Sequence, residues 1–159
     1  MCKACVSVKC AAALREGVAD IMGVQLSMQS WCKVQFVWVP RDLNAAADEL
    51  ATAALETQQS YTRWTLTPRE TQEAWHSATE IIINFDGGCA HQLCSAGVSI
   101  SIGNGADNGG NRCICSISHY IGAGTNNLGE LVACRLACAS LLNLGARCLF
   151  PDAVGFVDY

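Results

Sequence analysis

Apolar residues recur along this chain with two different periods. From residue 80 to 122 they come in short runs: EIIINFDGG, then AGVSISIGN in clean alternation, then RCICSISHYIG, with the turn-forming GADNGG before the last. That period of two predicts three consecutive strands in an antiparallel meander. KVQFVWVP, residues 33–40, is a further β run, with Val34, Phe36 and Trp38 on one face and Pro40 as its stop. AVGFVDY predicts a last short strand at the end of the chain. The helical period appears in three places. Val18, Ile21, Met22, Leu26 and Met28 carry it within residues 5–31, weakened by Gly17 and Gly23. RDLNAAADELATAALE offers Asn44 as an N-cap ahead of strong helix formers. TNNLGELVACRLACASLLNLG predicts a helix from about Asn127 to Leu144, capped by Thr125 or Asn126 and stopped by Gly145. Residues 57–78 are polar and aperiodic, and read as a linker with one helical turn after Pro68. The predicted order is helix, strand, helix, linker, three strands, helix, strand.

Composition narrows this picture. A chain of 159 residues, half of them apolar and 15% charged, has room for one real core and is poorly suited to disorder. A net charge of −4 argues against a broad basic footprint for nucleic acid, although local patches matter more than totals. Lys3, Lys9, Arg15 and Glu16 interrupt the N-terminal segment, so neither a signal sequence nor a membrane span is expected, and the chain reads as soluble and intracellular, cytoplasmic or nuclear. Eleven cysteines raise two questions. Cys2, Cys5 and Cys10, or Cys89, His91 and Cys94 with Cys113 and Cys115 downstream, are loose clusters without finger spacing for zinc. Buried, reduced cysteines acting as small apolar residues fit better, and a disulfide scaffold is not expected.

The acidic residues carry the chemistry. Asp86 ends an apolar strand just before two glycines, and Asp158 ends another. Glu130 falls one turn into its helix, on the face shared by Cys134 and Cys138. Asp48 is early in a helix among Ala45, Ala46, Ala47 and Ala51, small neighbours that allow close approach to other backbone. Singly, each has an ordinary explanation as a turn or first-turn acid. Together, two strand-end aspartates and two first-turn acids would converge at one sheet edge, where their repulsion calls for divalent cations. Hard oxygen donors point to Mg²⁺ or Mn²⁺, and two such ions suit phosphodiester hydrolysis.

These segments resemble the ribonuclease H family. FDGG resembles its first-strand Asp-Gly motif, TNNLGELVA its Thr-Asn-Asn-x-x-Glu helix start, FVDY its fourth-strand aspartate, and VQFVWVPRDLNAAADELATAAL its final strand and helix. The resemblance implies an α/β fold with a mixed five-stranded sheet flanked by helices. It also implies Mg²⁺-dependent endonucleolytic cleavage of the RNA strand of RNA·DNA hybrids, with two ions held by Asp86, Glu130, Asp158 and Asp48. Asn126 and Asn127 would meet sugar edges, Thr125 a DNA phosphate and Cys89 the minor groove, with Gly87, Gly88 and Arg41 also among the nucleic-acid-binding residues. Recognition of a hybrid by shape and 2′-hydroxyls agrees with amide and backbone donors of this kind.

The order departs from the family's. The Asp48 segment comes first here, so residues 1–159 would form one permuted domain: 1–56 as the family's C-terminal part, 57–78 as linker, and 79–159 as its N-terminal part. The alternative origin is the tail of one unit joined to the head of the next, and either could exchange halves between copies. Residues 1–31 would supply the missing helices. Arg41 stands in the loop where the family often has His, and Tyr159 where it usually has Ser. No basic handle helix is present in the sequence, so hybrid affinity should be modest and salt-sensitive. Two rival readings remain: an inactive module of this fold that binds hybrids or a protein partner, as in a retroelement polyprotein, and a cysteine-based zinc or redox protein. His76, His91 and His119 are expected on the surface or in strands.

Overall fold

A computed structural model of the chain describes residues 2–6, 32–37, 39–78, 80–103 and 111–149. Six strands form one mixed sheet: β1 (Cys2–Val6), β2 (Cys32–Phe36), β3 (Tyr61–Trp64), β4 (Glu80–Ala90), β5 (Leu93–Gly103) and β6 (Arg112–Ala123), in the order β2-β1-β4-β5-β6-β3. The predicted meander is present, since β4 pairs antiparallel with β5 and β5 with β6. Three helices accompany it: α1 (Ala45–Thr57), α2 (Pro68–Ser77) and α3 (Asn126–Leu149).

Alternation along the strands gives the two sheet faces different characters. Ile81, Ile83 and Phe85 of β4 and Ala96, Val98, Ile100 and Ile102 of β5 point to one side. There they join Ala133, Cys134, Ala137, Cys138, Leu141 and Leu144 of α3 in the main core. On the other side α1 lies on a surface of glycine and serine. Ser95 Oγ donates to the Ala51 carbonyl at 2.7 Å and Ser118 Oγ to the Leu50 carbonyl at 2.8 Å. Gly97 lies beneath the helix, where a Cβ would sit 2.6 Å from Ala51 N and 2.9 Å from Leu50 Cβ. Ala47, Ala51 and Ala54 are buried in that seam; of the four alanines singled out from the sequence, Ala45 and Ala46 are exposed. The face through Glu130, Cys134 and Cys138 likewise packs on the sheet, with both cysteines buried.

Several expectations are corrected. Residues 57–78 are not a linker. Tyr61–Trp64 forms the edge strand β3 against β6, and α2 runs for ten residues. The start of α2 is well specified: Thr67 and Glu70 form a reciprocal capping box and Pro68 takes the first helical position. With β3 and β1 included, six strands join the sheet among the described residues. Cys5 and Val6, expected to begin a helix, belong to β1, which lies parallel to both β2 and β4. β2 ends at Phe36, short of the expected stop at Pro40, and a 3-10 turn (Arg41–Asn44) leads into α1. α3 continues past Gly145 to Leu149. One helical glycine costs only about 1 kcal/mol, whereas Pro151, two residues beyond, disfavours helix at the residue before it. The rest of the expected helix at 5–31 and the expected strand at the C-terminus lie outside the described residues. No helix among the described residues is long and apolar enough to cross a membrane.

Candidate active site

Among the described residues, β1 pairs with β4 from Glu80 to Ile83. Past that register, on β4, an open cleft of about 440 Å³ is lined by Val39, Arg41, Asn44, Asp48, Phe85, Asp86, Gly87, Gly88, Cys89, Asn126 and Glu130. Three of the four acids singled out from the sequence therefore share one cleft: Asp86 from β4, Glu130 from α3 and Asp48 from α1. They come from segments separated by tens of residues, and the packing of both helices explains how they meet.

Gly87 lets α3 in. A Cβ at this position would overlap the backbone of Gly129 and Glu130, so the first turn of α3 can lie directly on β4 only because no side chain intervenes. Thr125 caps that turn, its carbonyl accepting from Leu128 N at 2.9 Å and Gly129 N at 3.2 Å. On the opposite sheet face, α1 is fixed by the Ser95 and Ser118 bonds, and Asp48 lies one turn from its start. Asn44 ties the two sides together. It precedes α1 as expected, but its side chain makes no cap bond. Instead, Nδ2 donates to the Phe85 carbonyl at 3.0 Å, beside Asp86, while Oδ1 is buried with no partner among the described residues. This role was missed in the sequence because Asn before a helix is already explained as a cap.

Arg41 is the cation that lines the cleft among the described residues, and its Nη2 lies 2.9 and 3.1 Å from the two oxygens of Asp48. The Arg41 side chain is 83% exposed, so solvent screens this pair and breaking it costs about 1 kcal/mol or less. Among the described residues, no three His, Cys, Asp or Glu side chains are grouped closely enough to hold a metal ion. The donor set nonetheless suits a hard cation: carboxylates from Asp48, Asp86 and Glu130, and the buried amide oxygen of Asn44.

Of the remaining predicted residues, Arg41, Gly87, Gly88, Cys89 and Asn126 line the cleft; Thr125 and Asn127 are exposed and do not. Asp158 lies outside the described residues. A strand pairing with β4 along Glu80–Ile83 would need the edge that β1 occupies. His76 and His91 are exposed, while His119 is half-buried in β6, where burial pushes its pKa down. Cys138 lies in the core, and a hydrogen bond with Cys134 lowers its pKa. One expectation about cysteine fails: Cys89 and Cys94 form a disulfide. They stand directly opposite each other because His91 and Gln92, both with positive φ, make a two-residue hairpin turn. Cys115, Cys134 and Cys138 are buried, as expected of small apolar residues.

No protein-family model, curated protein sequence or solved structure matches the chain.

Proposed function

We propose that this chain is a divalent-cation-dependent endonuclease that hydrolyses the RNA strand of RNA·DNA hybrids, on a ribonuclease H-like fold in permuted order. The observation that carries the reading is the meeting of Asp48, Asp86 and Glu130 in one open cleft. Asp48 belongs to the part of the chain that the resemblance places last, yet α1 packs on the same sheet within one molecule. Asp86, Glu130 and Asp48 would hold Mg²⁺ or Mn²⁺, with Asn44 Oδ1 as a neutral donor and Asp158 as the fourth acid by resemblance. Two bound ions would supply a water activated at neutral pH and charge neutralisation at the leaving oxygen.

The other cleft residues fit a nucleic-acid backbone. Gly88 and Cys89 leave the β4 edge low, Asn126 offers an amide at the start of α3, and the Arg41 guanidinium is exposed at the rim for a phosphate. Thr125 and Asn127 sit just outside, where a longer duplex would pass. Binding should be modest and should weaken with added salt. A labelled hybrid incubated with the protein and Mg²⁺ tests this. Asp86→Asn and Glu130→Gln should each reduce cleavage by about 100-fold or more, the scale of losing one electrostatic group at a reacting centre. Equal cleavage by these variants and wild type would overturn the reading.

A second reading is favoured by one observation: Asp48 is engaged by Arg41, and the described acids are not grouped closely enough to hold a metal. An inactive hybrid-binding module would show salt-sensitive binding by fluorescence anisotropy with no cleavage under any cation.

A further inference from the structure

We propose that Cys89 and Cys94 are a reversible thiol–disulfide pair that controls how firmly the first turn of α3 is held against the cleft. The two residues face each other across the β4–β5 hairpin, with Cα atoms 4.1 Å apart. Cys89 is half-buried and lines the cleft, whereas Cys94 is fully buried. The pair thus has one sulfur that solutes can reach and one that is shielded.

The buried sulfur has a second neighbour. Cys94 Sγ lies 3.2 Å from the Thr125 carbonyl, and the hairpin turn is bonded to the same segment through Gly124 N and the Gln92 carbonyl at 2.9 Å. A thiol can donate its proton to Thr125; a disulfide sulfur has none to donate. The two states of Cys94 are therefore exclusive: either it is cross-linked to Cys89, or its S–H holds the carbonyl that caps α3. Loss of that donor loosens the turn that carries Asn126 and leads to Glu130.

The chemistry balances with a hydroperoxide as oxidant. The Cys89 thiolate attacks the peroxide oxygen, giving a sulfenic acid and releasing, after protonation, an alcohol or water. Cys94 then attacks the sulfenic sulfur, forming the S–S bond as hydroxide leaves and takes the thiol proton to become water. A dithiol reverses it, attacking the accessible Cys89 sulfur, expelling the Cys94 thiolate, and closing to its own disulfide while both protein thiols regain protons.

The test uses the full chain, oxidised with hydrogen peroxide and then reduced with dithiothreitol. Proteolytic mapping should find the Cys89–Cys94 link after peroxide and lose it after reduction. Amide exchange at Leu128 and Gly129 should be about threefold faster in the oxidised form, the scale of one weak cap bond. Cys94→Ser, which keeps a donor but cannot cross-link, should exchange as the reduced protein does and ignore peroxide; Cys94→Ala should exchange fast in both conditions. Failure to form the link, or equal exchange rates in the two wild-type states, would overturn the proposal whether or not either variant folds. Neither readout depends on hybrid cleavage, so an inactive cleft and an inert cysteine pair give different results.

Discussion

Replacing Gly97 with Ala should dislodge α1 and, with it, Asp48. The added Cβ would meet the Ala47 carbonyl, Ala51 N and Leu50 Cβ, mostly backbone that cannot rotate away. The helix must therefore lift from the sheet. Overpacking alone costs about 1–3 kcal/mol. Lifting also stretches the Ser95–Ala51 and Ser118–Leu50 hydrogen bonds, each worth about 1 kcal/mol. The total, about 3–5 kcal/mol, is a large share of the stability of an ordinary domain. In urea unfolding the midpoint should fall by more than about 1 M with little change in slope. Hydrogen exchange over residues 45–57 should accelerate more than in the main core. Gly88→Ala is the control, because a Cβ there meets only Leu55 Cδ1 at 3.8 Å and Ser95 Oγ at 3.9 Å, ordinary contacts. Similar stabilities for Gly97→Ala and Gly88→Ala, within about 0.5 kcal/mol, would refute the close-packed seam as the device that places Asp48.

Other outcomes follow from the same contacts. Arg41→Ala should lower stability by about 1 kcal/mol at most, and should tighten Mg²⁺ binding up to about fivefold in calorimetric titration, since guanidinium and cation compete for Asp48. Thr67→Ala removes the capping box of α2 and should cost about 1 kcal/mol in thermal or urea unfolding. The Thr67 backbone N–H, then its hydroxyl, hold the Glu70 carboxyl below its ordinary value of 4.5. The stabilisation is therefore present above that value and lost as pH falls through the lower folded one; Glu70→Gln should flatten this part of an acid-unfolding curve. Leu141→Ala, at 2% exposure in the main core, should cost about 2–5 kcal/mol in the same measurement.

Much of the scaffold was legible because its period was clean. Ile81, Ile83 and Phe85 alternate, and so do Val98, Ile100 and Ile102, and those positions fill the core. The close docking of α1 was readable in its alanines, although its partner surface of Ser95, Gly97 and Ser118 was not, because serines on a buried face look like solvent positions until a helix carbonyl meets them. β3 was hidden for a related reason. YTRW is an edge strand whose side chains are mostly exposed, so it has no buried face to impose a rhythm. The ten residues of α2 were readable from Thr67-Pro68-Arg69-Glu70, a capping signature that a reading based on apolar period passes over. At the site, chemistry singled out Asp48, Asp86 and Glu130 individually, but what brings them together is carried by glycine: Gly87 under α3 and Gly97 under α1. The Cys89–Cys94 pairing depended on the register of one turn, because the two-residue loop puts these residues opposite each other and a one-residue slip would not.

Mn²⁺ binding, followed by loss of the free-ion paramagnetic signal on titration, asks most directly whether acids from both parts of the chain act on one cation. Asp48→Asn, Asp86→Asn and Glu130→Gln should each weaken binding by about tenfold or more. Wild-type affinity in Asp48→Asn, with losses confined to the other two, would separate α1 from the site; unchanged affinity in all three would remove the metal centre altogether.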